Sequence, residues 1–197
     1  MTNFNPHIIL SRPQLGENIG SSARAMKNFG INNLRLISPR DGWPNKSAYA
    51  ISAGADDILD NLMCFNSLDE ATHDISLLIA TTARKRVVGT KSLNIFEAIL
   101  KSYKHTTEGG NVGFLFGAEQ SGLSNDDVVL ADFTVSMPLN KEFSSLNLSQ
   151  AVLLICWEWN RIKLIQSESK NNKVLVNKKL KKSTELSNIG DREYFYK

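Results

Sequence analysis

Cysteine and histidine are scarce in this sequence, which holds two of the first and three of the second among 197 residues. Cys64 and Cys156 stand far apart, so no disulfide framework can be read from them. A reducing compartment with both thiols buried is the plain expectation. His7, His73 and His105 are scattered without metal-ligand spacing, which argues against metal catalysis. Long hydrophobic runs are missing too. The longest, such as AVLLICW at residues 151–157, fall far short of the roughly 20 residues that span a bilayer. The N-terminal MTNFNPHIIL lacks both a basic start and a long apolar segment, so no secretory leader is visible and a cytoplasmic location is expected. Several chemical signatures are also absent. No GxxxxGK[ST] loop occurs, and no GxGxxG follows the first strand, which removes support for the common nucleotide-phosphate folds. Neither GxSxG nor HExxH is present, so the serine-hydrolase and zinc-peptidase patterns go as well.

What is present is enough for a core. Hydrophobic residues make up 42% of the chain, well above the level of disordered sequences. Charge is unevenly placed. Residues 1–160 hold 13 basic and 16 acidic side chains, whereas residues 161–197 hold 10 and 4. A mildly acidic body of residues 1–165 is thus followed by a basic segment of residues 166–197, polar and Lys-rich like a linker. That segment reads either as an arm for a polyanion, RNA first among them, or as a solvated tail.

The pattern along the body alternates strand and helix. His7–Leu10 is a short apolar run ended by Ser-Arg-Pro, a buried strand. ENIGSSARAMKNFG follows as a helix closed by Gly30. NLRLISP is a second strand, and Trp43 to Leu62 predicts one helix or two. HDISLLIATTAR gives a strand with Thr81, Thr82 and Arg84 at its carboxyl end, and SLNIFEAILKSY an amphipathic helix. Val112–Phe116 is an apolar strand. A helix over Ser124–Leu130 is signalled by Ser124 and Asp127 at capping-box spacing. A strand at 133–137 and a helix from Leu148 to about Ile165 complete the body. Strands that are apolar throughout, alternating with helices, predict an α/β fold with a mostly parallel sheet covered on both faces. Ligands of such sheets gather at the carboxyl ends of strands. Three segments converge there: Thr81–Arg84, Gly117–Gly122 and Pro138–Asn147.

The last of these is chemically the most suggestive. MPLNKEFSSLNLSQAV, residues 137–152, places Ser144, Ser145 and Asn147 beside the first turn of an apolar helix. Unpaired N–H groups there can meet a ligand together with hydroxyls and an amide. The competing reading is that Ser144 or Ser145 only caps the helix. In GAEQSGL, Gly117 either lets main chain approach a flat ligand or serves an ordinary turn.

Three motifs together resemble the SpoU/TrmH class of SPOUT RNA 2′-O-methyltransferases, and most closely its TrmJ branch. ENIGSSARAMKNFG matches the first motif with Asn18 and Arg24, and FLFGAEQSGL the second with Gly117, Glu119 and Gly122. MPLNKEFSSLNLSQAV matches the third with Ser145, Leu146 and Asn147. The resemblance covers about residues 5–162. It implies a C-terminal deep trefoil knot, an exception to the rule that chains avoid knots. It further implies homodimers with the active site at the subunit boundary, and a pocket for S-adenosylmethionine. That cofactor would lie against Thr81, Thr82, Ala83, Gly117, Glu119, Gly122, Met137, Ser144, Ser145 and Leu146, with no metal. By the same resemblance, Arg24 anchors an RNA phosphate and polarises or helps deprotonate the 2′-hydroxyl, and Ser145 orients the ribose or relays its proton. Asn18 and Asn147 position neighbouring groups, while Glu119 buttresses the first motif. Arg84, Lys85 and Arg86 form a basic cluster expected to meet the RNA backbone. The implied activity is methylation of a tRNA ribose at nucleotide 32, cytidine or uridine, in the anticodon loop. Alternatives are the same reaction on another tRNA site or on ribosomal RNA, or a non-catalytic RNA-binding dimer. DREYFYK resembles the opening of a C-terminal extension that relatives carry further, so the extension is expected to be shortened here.

Overall fold

A computed structural model describes residues 5–82, 91–140 and 142–171, without the side chains of 169–171. The chain divides after Ile165 into two units, and the first of them carries the fold described below.

Seven strands form one sheet: β1 (His7–Ser11), β2 (Asn33–Ile37), β3 (Met63–Phe65), β4 (Leu77–Thr81), β5 (Lys91–Leu93), β6 (Val112–Phe116) and β7 (Phe133–Val135). Their spatial order is β3-β2-β1-β6-β4-β7-β5, and every neighbouring pair is parallel. The helices between them are α1 (Gly16–Asn28), α2 (Lys46–Ser52), α3 (Asp56–Asp60), α4 (Leu68–Thr72), α5 (Ile95–Thr107), α6 (Asn125–Val129) and α7 (Leu148–Asn171).

Successive side chains of a strand point to opposite faces, and the two cores follow that rule. Ile8 and Leu10, Leu34 and Leu36, Leu77 and Ile79, and Phe114 and Phe116 enter one core with residues of α1, α2, α3, α5 and α7. Ile9, Leu78, Ala80 and Leu115 enter the other with residues of α4 and α6. Both faces are therefore covered, unequally. In the larger core Trp159 of α7 is fully buried, edge-on to Tyr103 and Phe114. The capping box at α6 forms in both directions, with Ser124 accepting from the Asp127 N–H and Asp127 from the Ser124 N–H. Gly30, at φ +68°, follows the end of α1.

Some expectations need correction. Cys64 is exposed and only Cys156 is buried, because Cys64 lies on a three-residue strand at the sheet edge. Burial pushes the Cys156 thiol up to about 12, so it stays protonated and inert. Strands β3 and β5 and helix α4 were not legible. Each is three to five residues long, too short to show a period. Strand β7 ends at Val135 rather than 137, and α7 continues past Ile165 to Asn171. No described helix is long and apolar enough to cross a membrane.

Candidate active site

The carboxyl ends of β4, β6 and β7 lie side by side in the sheet. The chain is tied together there by main chain and hydroxyl. The Thr82 N–H donates to the Val135 carbonyl at 3.0 Å, and Thr81 Oγ1 to the Leu115 carbonyl at 3.0 Å. Above these ends opens a cavity of about 570 Å³, a size suited to a cofactor or small ligand. Thr81, Thr82, Gly117, Glu119, Gly122, Met137, Ser144, Ser145 and Leu146 all line it. Ala83, Arg84, Lys85 and Arg86 lie outside the described residues. Sequence reasoning missed Ser136, Leu139 and Ala151, which also face the cavity. Their small or apolar character gave no signal apart from their places within the third motif or, for Ser136, directly before it.

Among the described residues Glu119 is the single charged residue of that lining, and its carboxylate is committed to the scaffold. It accepts from the Gln14 N–H at 2.8 Å, the Leu15 N–H at 3.2 Å and Asn18 Nδ2 at 2.8 Å. Asn18 is buried on α1, and its Oδ1 accepts from Asn147 Nδ2 at 2.9 Å. Asn147 in turn holds the start of α7. Its Oδ1 accepts from the Ser149 N–H at 2.9 Å and Ser149 Oγ at 2.7 Å. A relay of three side chains thus joins the second motif to the first and the first to the third. The helix cap is Asn147, not Ser144 or Ser145. With the cap supplied from the next position, both serines stay exposed on the cavity wall. Neither Asn18 nor Asn147 lines the cavity, so both are positioning residues.

Gly117 also has a different reason from close approach to a ligand. A Cβ there would sit 2.1 Å from the Gly122 carbonyl carbon and 2.2 Å from the Leu123 nitrogen. The loop folds back on itself at this point, with the Gly122 N–H donating to the Ala118 carbonyl at 2.8 Å. Gly122 itself takes φ +69°.

Arg24 is exposed on α1 and is not among the residues lining the cavity. Among the described residues the cavity lining contains no cation. Its hydroxyls, main-chain donors and acceptors, and the apolar walls of Met137, Leu139 and Leu146 fit a nucleoside with an uncharged edge. They suit S-adenosylmethionine better than a nucleotide phosphate, which needs cations or an array of N–H donors. Among the described residues no group of three His, Cys, Asp or Glu side chains could hold a metal ion.

Comparison with known proteins gives consistent matches. Residues 5–157 match the model of the SpoU rRNA Methylase family. An uncharacterized tRNA/rRNA methyltransferase of Haemophilus influenzae is 35% identical over 189 residues, which is 95% of this chain and 76% of the relative. The tRNA (cytidine/uridine-2′-O-)-methyltransferase TrmJ of Sodalis glossinidius is 40% identical over 154 residues. That match takes in 78% of this chain but spans only 60% of the relative's length. The crystal structure of TrmJ from Z. mobilis superposes with a TM-score of 0.76 at 42% identity, covering 87% of this chain and 83% of that one.

Proposed function

Because the chain belongs to the SpoU rRNA methylase family, we propose that it transfers a methyl group from S-adenosylmethionine to a ribose 2′-hydroxyl of tRNA, at nucleotide 32 of the anticodon loop. The observation that carries this reading is the cavity at the carboxyl ends of β4, β6 and β7, walled by Ser144 and Ser145 and braced through Glu119, Asn18 and Asn147. The choice of tRNA over ribosomal RNA is supported by the 40% identical TrmJ of Sodalis glossinidius, a tRNA (cytidine/uridine-2′-O-)-methyltransferase. A loop nucleotide suits such an enzyme, since its ribose is not locked in an A-form stem.

The cofactor, when bound, supplies an electrophilic methyl carbon on a sulfonium. The chain's own task is to bring a weak nucleophile into line with it. Alignment alone contributes several kcal/mol, up to about 7–11 in well-oriented systems. Ser145, exposed on the wall, orients the 2′-hydroxyl and takes part in passing its proton to solvent. Arg24 holds the neighbouring phosphate with its planar fork. That fork presents only donors, which suits an anchor and a polarising charge.

Arg24 is exposed and is not among the residues lining the cavity of its own chain. The proposed assembly is a homodimer in which the Arg24 of one subunit serves the cavity of the other. Exposed Leu153, Trp157 and Leu164 on α7, with Phe96 and Leu100 on α5, support such a face. Arg161 lies over both the Phe96 and Trp157 rings. The proposal includes a deep trefoil knot in the segments that build the cavity, a methyltransferase domain of residues 1–165, a basic RNA-contacting segment of residues 166–197, RNA contacts from Arg84, Lys85 and Arg86, and a cytoplasmic location.

Mixed dimers test the arrangement. Arg24→Ala and Ser145→Ala chains are each expected to lose at least about 100-fold in labelled-methyl transfer to unmodified tRNA. Random mixing makes half the dimers hybrid, and each hybrid regenerates one complete site, so roughly a quarter of the normal activity returns. No gain on mixing would show that Arg24 acts within its own chain. No transfer by the unaltered protein, despite cofactor binding, would favour an RNA-binding module instead.

A further inference from the structure

Arg12 lies outside the three motifs, yet its surroundings are built for a ligand. It follows β1 directly and takes φ +52°, a left-handed conformation that costs an L-residue about 1–2 kcal/mol. Its N–H donates to the Ile37 carbonyl at 2.8 Å, which fixes the turn. One end of its guanidinium, Nη2, pairs with Asp127 Oδ2. The Asp127 side chain is 7% exposed and that of Arg12 46%, so a buried carboxylate orients a half-exposed fork. The capping box of α6 is complete without this pair, because the Ser124 N–H already donates to Asp127 Oδ2 at 2.9 Å.

The fork borders a second concavity of about 370 Å³ lined by Arg12 and residues Ser121, Gly122, Leu123, Ser124 and Asn125. Among the described residues Arg12 is the one charged residue lining it. Ser121, Gly122 and Leu123 line the cofactor cavity as well, so one short stretch of chain serves both spaces. A methyl donor and its acceptor must meet, and an acceptor held beside the donor would occupy such a neighbouring space. An RNA acceptor brings phosphates on both sides of its ribose. Among the described residues of this chain, the lining of the cofactor cavity offers them no cation.

We propose that Arg12 binds a backbone phosphate of the RNA substrate in this second concavity, with Asp127 holding the guanidinium in position. The assignment rests on the RNA methyltransferase reading above and adds a phosphate contact from the same chain that supplies the cofactor cavity. Orientation by Asp127 lowers the entropy lost on binding, since the side chain is already placed. The pair has little net charge, so the contact acts at short range rather than by long-range attraction.

The test measures binding of unmodified tRNA to the full chain by fluorescence anisotropy between 50 and 200 mM salt. Arg12→Gln is expected to weaken binding about 5- to 10-fold and to reduce the magnitude of the salt slope by about 0.7–0.9, the value of one lost phosphate contact. Arg12→Lys should restore the slope. Lys104→Gln makes the same charge change on α5, beside His105, which bonds Ser76 at the amino end of β4, and should leave the slope alone. S-adenosylmethionine affinity by calorimetry should stay within about twofold in Arg12→Gln, since the cofactor cavity keeps all its lining residues. An unchanged slope, or loss of cofactor affinity with the slope intact, would reduce Arg12 to a prop for the loop and overturn the assignment. Absence of RNA binding by the unaltered protein would sink the methyltransferase reading together with it, whereas normal binding with an unaltered Arg12→Gln slope sinks the arginine assignment alone. Should Arg12→Gln not fold, phenylglyoxal modification of the unaltered protein decides. Mass spectrometry should show Arg12 shielded by tRNA and not by S-adenosylmethionine, and equal labelling with and without tRNA overturns the proposal.

Discussion

Glu119→Gln isolates the relay that holds the site together. The substitution keeps the shape of the side chain but replaces one acceptor oxygen by an NH2 group. Oε2 accepts from the Gln14 N–H at 2.8 Å, and Oε1 from the Leu15 N–H and Asn18 Nδ2. Whichever way the amide turns, at least one N–H then faces a donor. Hydrogen bonds to a charged group contribute about 1.5–3 kcal/mol each, and an orphaned partly buried donor costs about 1–3 kcal/mol. A net loss of roughly 2–3 kcal/mol follows, which for a domain of this size lowers the melting temperature by about 5–10 °C. The loss should also reach the cofactor. Asn18 is held by Glu119 on one side and holds Asn147 on the other, so the loops bearing Gly122 and Ser145 both lose their brace. S-adenosylmethionine affinity, measured by calorimetry well below the melting temperature, should fall about tenfold, the equivalent of about 1.4 kcal/mol. A melting temperature within about 2 °C of the unaltered protein would refute the relay. Unchanged stability with lost affinity would instead mean that Glu119 touches the cofactor itself.

Other perturbations follow from the same geometry. Gly117→Ala puts a Cβ against the main chain of Gly122 and Leu123. Neither can yield as a side chain can, so cofactor binding should drop by at least about tenfold with a loss of stability of about 1–3 kcal/mol, read by calorimetry and thermal melting. Trp157→Glu puts a charge on the exposed α7 face; the proposed homodimer should then sediment as monomers, with methyl transfer lost in parallel, and a stable dimer would move the interface elsewhere. His7 governs acid sensitivity. Burial chiefly, and then the charge of Arg35, lower its pKa from 6.5 to about 4, and its Nδ1 is buried without a partner. The unfolded chain therefore binds a proton that the folded one refuses as pH falls from 6.5 towards 4, and stability is lost across that window. With allowance for partial exposure of the ring, denaturant titrations at pH 7 and pH 5 should differ by about 1 kcal/mol from this residue. His7→Phe should remove that difference, and an equal loss in both proteins would place the acid sensitivity in other groups.

The parallel sheet was legible because its central strands are apolar on both faces. His7–Ser11, Leu77–Thr81 and Val112–Phe116 sit between two layers and need no alternation. The edge strands β3 and β5 were not, since three residues, two of them exposed, carry no period. The cap of α6 could be read because Ser124 and Asp127 stand three apart, a spacing fixed by the local turn. The cap of α7 had a signal as well. Asn147 directly precedes the apolar run, and asparagine is among the strongest N-cap residues. The adjacent serines, equally good caps, obscured it.

The site divides along the same physical line. Residues facing the cavity come from loops after three adjacent strands, so the rule that ligands gather at strand carboxyl ends, joined to the motifs, was enough to collect nine of them. The relay was another matter. Glu119 and Asn18 are 101 residues apart, and Asn18 and Asn147 are 129 apart. No local period connects positions so separated. Only the strand order, with β1 beside β6 and β6 beside β4, brings the loop before α1 against the loops after β6 and before α7. Local sequence can announce which side chains suit a chemistry, but whether a group acts on the ligand or on another side chain depends on that crossing order. Asn18 and Asn147 show the difference: polar residues of the first and third motifs, they spend their amides on each other, on Glu119 and on the start of a helix, and leave the serines to face the cavity.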